Sequence, residues 1–117
     1  MKKITYLLLL FVCCSFLQTE DSYQSAITEI ADAYNQKDAD KIFNLFSSEL
    51  QSSFTIDKVK DFVKDNQESN GLMGEFSFLM DDETGKRYLL EFENSTMILV
   101  LELSTDNKII RLSLEEY

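Results

Sequence analysis

The sequence predicts an α+β domain, three N-terminal helices packed on a four-stranded antiparallel sheet, preceded by an export leader. Three observations carry this. Apolar residues recur at helical spacing through the first half of the chain and switch to strict alternation after Gly71. Short polar turns cut the alternating half into four runs, the pattern of successive hairpins. The first residues combine two lysines with an unbroken apolar run.

Lys2 and Lys3 form a positive start, and Leu7 to Cys14 reads LLLLFVCC before Gln18-Thr19-Glu20-Asp21 turns polar. That run is too short to span a bilayer comfortably and has the layout of a secretory signal peptide. The expectation is a signal peptide over 1–19 and one domain over 20–117, placed in the periplasm or outside the cell. No A-x-A site is present, and cleavage is expected near Gln18. The alternative is a lipobox, because Leu10-Phe11-Val12-Cys13 sets a leucine three residues before a cysteine. Phe11 and Val12 depart from the small residues such a box prefers. Lipid on Cys13 or Cys14 would tether the domain to a membrane. If cleavage instead removes both, no thiol survives, and disulfides, thiolate metal sites and cysteine nucleophiles are excluded.

In the first helix, Tyr23, Ala26, Ile27, Ile30, Ala31 and Tyr34 make an amphipathic stripe that Asp21 or Ser22 can cap. Asn35-Gln36-Lys37 breaks it. Asp38 is the next N-cap, and Ala39, Ile42, Phe43, Phe46 and Leu50 give a second helical stripe. Thr55 caps a third, with Ile56, Val59, Phe62 and Val63, which ends at Gln67-Glu68-Ser69-Asn70-Gly71. The predicted strands are 75–80, 86–93, 96–104 and 108–115.

Side-chain parity sorts the sheet into two faces. The inner face takes Phe76, Phe78, Met80, Tyr88, Leu90, Phe92, Met97, Leu99, Leu101, Leu103, Ile110, Leu112 and Leu114. The outer face takes Glu75, Ser77, Arg87, Glu91, Glu93, Glu102, Arg111 and Ser113, with a greasy strip of Leu79, Leu89, Ile98, Val100 and Ile109. Leu89, Ile98, Val100 and Ile109 are therefore candidate interface residues, for a homodimer or an envelope protein.

Composition narrows the function. From residue 18 onward the chain carries 9 basic and 21 acidic side chains, a formal net of −12. Such a body repels phosphate backbones and anionic lipids, so nucleic acid is not an expected partner. There is no histidine, which removes Ser-His-Asp and Cys-His catalysis and the common zinc sites. Three glycines form no phosphate loop. Asp81-Asp82-Glu83 lacks the spacing of a calcium loop and is expected to be a solvated turn. No cofactor or metal is expected.

The stretch Ala33-Tyr34-Asn35-Gln36-Lys37-Asp38, followed by an apolar-rich segment ending in Leu45-Phe46, resembles the nuclear-transport-factor-2-like superfamily, which includes the ketosteroid isomerases. The likeness runs from Ser22 to Glu116. It is greatest to the small bacterial domain of unknown function found ahead of serine hydrolase or β-lactamase-like domains. The resemblance implies a cone-shaped fold whose curved sheet wraps a pocket. Tyr34, Phe78, Tyr88 and Phe92 would line that pocket around a small apolar ligand. It does not bring the isomerase carboxylates, because the predicted inner strand positions hold no Asp, Glu, His, Lys or Arg. Nor does any serine have a lysine three residues on, as the associated hydrolases require. The expected function is a non-enzymatic binding or protein-interaction domain of the bacterial cell envelope. The alternative is a small-molecule isomerase or dehydratase, if a one-residue slip turned Glu91, Glu93 or Glu102 inward.

Overall fold

The protein is described by a computed structural model over residues 21–117. The expected leader over 1–19, with Cys13 and Cys14, lies outside the described residues. Helix α1 is described over 21–35, α2 spans Ala39–Asn44, α3 Ser48–Ser53 and α4 Ile56–Asn70. Strands β1 (Met73–Asp82), β2 (Gly85–Phe92), β3 (Thr96–Leu103) and β4 (Ile109–Glu116) form an open antiparallel sheet in the order β1-β2-β3-β4. The predicted α+β class and the four-stranded meander are present.

Each boundary has a local cause. Helix α1 stops in a Schellman motif: Lys37 N–H bonds Tyr34 O at 3.0 Å and Asp38 N–H bonds Ala33 O at 2.8 Å. Lys37 sits at the left-handed position with φ +60°, a place glycine normally fills. Asp38 then caps α2 by accepting from Lys41 N–H. Thr55 precedes α4 as expected, though its side chain makes no cap bond. Gly71, at φ +86°, ends α4.

The described residues hold four helices, where the periodicity predicts three. The predicted second helix breaks at Leu45–Ser47, and the reason is tertiary. Phe46 forms a parallel bridge with Ile109, in which Ile109 N–H bonds Leu45 O and Ser47 N–H bonds Ile109 O, both at 2.9 Å. Ser47 Oγ then accepts from Leu50 N–H and restarts the chain as α3. A helical stripe cannot reveal a break made by backbone pairing with a strand sixty residues away.

The core joins Tyr23, Ile27, Ile30 and Tyr34 of α1, Ile42, Phe46, and Val59 and Val63 of α4 to Met73, Tyr88, Leu90, Phe92, Leu99, Leu101, Ile109 and Leu112 of the sheet. Full burial of each large aliphatic side chain contributes about 1.5–3 kcal/mol. Two irregularities in the pairing move side chains from where alternation places them. Between Glu102 and Leu103 the register skips from Arg111 to Ile109, so Ile110 is the extra residue. Ile109 is therefore fully buried in the core and Ile110 is 39% exposed, the reverse of the predicted faces. On β1, Phe78 pairs with Tyr88 but Met80 with Arg87, leaving Leu79 unpaired between them. Met80 thereby shares the outer face with Arg87 instead of entering the core.

Candidate interaction surface

The predicted pocket residues fall into two separate pairs. Tyr34 is fully buried near the start of β1, its ring edge-on to Phe92 at 5.9 Å. Its hydroxyl donates to Gly71 O at 2.8 Å, and its carbonyl accepts from Gln67 Nε2 at 2.6 Å. Burial pushes the Tyr34 phenol up to about 12, so it stays protonated and serves as a structural donor. Tyr88 lies buried toward the other end, packed edge-on against Phe76 at 6.0 Å and Phe78 at 5.6 Å.

None of the four lines either of two surface grooves. One, of about 710 Å³, runs between α2 and α4 and is lined by Lys37, Ala39, Lys60, Val63, Lys64 and Gln67 among others. The second, of about 580 Å³, lies between the α2–α3 connection and the β3–β4 turn. Lysines and acids alternate around the first, so its charges cancel.

The carboxylates that a register slip would have brought inward stay outside. Glu91 and Glu93 are exposed, and Glu93 Oε1 accepts from Leu72 N–H at 2.8 Å. Half-buried Glu102 meets Arg111 across the β3–β4 pair at 3.3 Å. Among the described residues no acidic side chain is buried.

The predicted outer strip is largely covered. Ile109 belongs to the core, Val100 is only 2% exposed, and Leu89 and Ile98 are half-buried. Arg87 on β2 stands beside Val100, and Glu115 on β4 beside Ile98. The Arg87–Glu115 ion pair spans β3 between them, with the arginine stem laid along the sheet. Arg87 also holds Asp82 at 2.8 Å. The Asp82 carboxyl is drawn down to about 2, first by the Thr84 hydroxyl and then by Arg87.

The apolar surface that remains lies elsewhere. Phe78, Leu79 and Met80 are 58%, 41% and 48% exposed, three consecutive large side chains on the edge strand β1. Lys86 Nζ lies 5.4 Å from the Phe78 ring and 5.3 Å from Tyr23, and 3.2 Å from Asp81. That cation–π pair supports one side of Phe78 and leaves the rest open. Alternation conceals this surface: Phe78 keeps its predicted face beside Tyr88 yet stays largely uncovered by the described residues, and the bulge at Leu79 turns Met80 to the other face.

The edge of β1 is closed at its start by Asn35. Its Nδ2 donates to Met73 O at 3.0 Å and its Oδ1 accepts from Met73 N–H at 2.9 Å. The side-chain amide thus pairs with β1 as a peptide group of a neighbouring strand would. Farther along, from Glu75 to Met80, no hydrogen bond between described residues reaches the outer edge. Comparison with protein-family models, with curated proteins and with solved structures finds no match to this chain.

Proposed function

We propose that this chain is an exported interaction domain of the bacterial cell envelope, built on the cone-shaped nuclear-transport-factor-2-like plan, and that it acts by contact. The observation that carries this is the exposed run Phe78-Leu79-Met80 on an edge strand, beside an interior filled by packed apolar side chains. Consecutive large side chains left in water on an edge are costly unless something meets them. The positive start and apolar run of residues 1–17 support export, with lipid attachment at Cys13 or Cys14 as a means of retention at the membrane. Compared with the outer strip, the end of β1 is the better contact surface, because Val100 and Ile98 already lie beneath the Arg87–Glu115 pair.

Site-specific crosslinking in the producing cell tests this. A benzoylphenylalanine at position 78 should trap an envelope protein, and the same group at position 60, in the α2–α4 groove, should not. Absence of an adduct at 78, or an adduct only at 60, refutes the assignment.

A further inference from the structure

We propose that the open edge of β1 takes up an extended, basic segment of a partner protein as a fifth strand. This rests on the interaction role above and gives the partner a chemistry. Antiparallel edges bind strands through main-chain hydrogen bonds, and alternate side chains supply the selectivity. Asn35 already makes this kind of pairing at Met73, which shows the edge presented at a geometry a peptide group can meet. Beyond it, Phe76, Ser77 and Phe78 keep an unbroken register with Leu90, Leu89 and Tyr88, so this part of the ladder is regular. The irregularities on either side limit the added strand to about four or five residues, at about 3.3 Å each.

Charge selects the occupant. Along β1 and its turn lie Glu75, Asp81, Asp82 and Glu83, with no basic residue among them. Lys86 and Arg87 neutralise Asp81 and Asp82, whereas Glu75 and Glu83 form no ion pair among the described residues. A second copy pairing antiparallel across the short opening would bring the Glu75 margin of each copy to the Asp81-Asp82-Glu83 margin of the other. Pairing in parallel would set Glu75 against Glu75. Both gather acids on acids at the margins, which is unfavourable, and the net charge of each copy adds to the repulsion. A segment with an apolar centre and flanking Lys or Arg meets the same surface with complementary charge.

The test uses the full chain and a fluorescein-labelled nine-residue peptide of alternating Lys and Val with a central Phe, read by fluorescence anisotropy. Binding should appear and weaken with added salt. It should drop by about tenfold or more when alternate peptide nitrogens are methylated, which blocks strand pairing but keeps every side chain. The Glu-for-Lys peptide should not bind. Phe78→Lys should weaken binding, and so should Glu75→Lys, which changes charge at an exposed position without touching the packing. No binding of the Lys peptide, equal binding of its methylated form, or indifference to both substitutions overturns the inference. A chain that crosslinks to a partner at position 78 yet ignores this peptide keeps its interaction role and loses the strand-pairing inference.

Discussion

Truncating Ile109 and Ile110 separately tests the sheet's hidden irregularity, because alternation and structure predict opposite outcomes. Ile109 is fully buried, and its backbone is tied on both sides to Leu45 and Ser47. Ile109→Ala removes methyl and methylene groups from a packed site and should cost about 3–4 kcal/mol. With a urea slope of about 1–1.5 kcal/mol per molar, the unfolding midpoint should fall by roughly 2–4 M. A small domain can lose its fold at that price, so Ile109→Val, at about 1 kcal/mol, provides the measurable companion. Ile110 is partly exposed beside the extra position, and Ile110→Ala should stay within about 0.5–1 kcal/mol of the parent. Urea unfolding followed by circular dichroism measures all three. A larger loss at 110 than at 109 would show the strand to be regular, and would return Ile109 to the outer face.

Other consequences are as direct. Lys37→Gly should stabilise by about 0.5–1 kcal/mol, since relief of the left-handed lysine at φ +60° outweighs the added freedom of the unfolded chain; a lower urea midpoint would contradict this. Asn35→Ala should cost about 1–3 kcal/mol by leaving both Met73 backbone groups unpaired, and should speed amide exchange at Met73. The Asp82 carboxyl should titrate near 2 by NMR. Being lowered, its contribution is present above the ordinary carboxylate range and lost as pH falls through about 2. Thr84→Val and Arg87→Met should each raise that midpoint, because the Thr84 hydroxyl and the Arg87 guanidinium both favour the carboxylate. The Tyr34 phenol is raised, so its contribution is full below 10 and lost as pH rises through about 12; ultraviolet titration should show a late-ionising tyrosine that disappears in Tyr34→Phe.

The elements were legible in the sequence wherever one local rule governed a whole segment. The stripe of α1, the Asp38 cap, the end of α4 at Gly71 and the four hairpin-linked strands follow from spacing and turn chemistry. What escaped depends on relations between distant segments. The break at Leu45–Ser47 exists because Ile109 pairs there, and nothing in the helical stripe records it. Side-chain parity carries a prediction along a strand only as far as a bulge, and the assignments on the two sides of the bulge are inverted relative to each other. Hence Leu112 and Leu101 fall on the predicted face, while Ile109, Ile110 and Met80 do not. The contact surface was hidden in part by the same fault, which displaces Met80, and in part because parity does not tell which inner-face residue the helices leave uncovered. Alternation reads Phe78 and Met80 as core-facing and Leu79 as outer, and the cover over Val100 comes from an ion pair joining strands that are not neighbours.

The two sheet edges show why an opening on β1 carries meaning. Natural edges are blunted by short pairing, charged side chains or a covering segment. On β4, the α2–α3 connection pairs with the first residue, and Arg111, Glu115 and Glu116 lie along the strand beyond it. An added strand there would meet charge almost at once. Among the described residues the cover on β1 ends at Asn35, and the following residues bring Phe76, Phe78, Leu79 and Met80 to an edge that no described residue caps, with acids only at its margins. The bulges keep that opening short, which guards against sheet-to-sheet aggregation while admitting a few residues of another chain. An edge shielded at its start, apolar at its centre and acidic at its ends discriminates by charge as well as by shape.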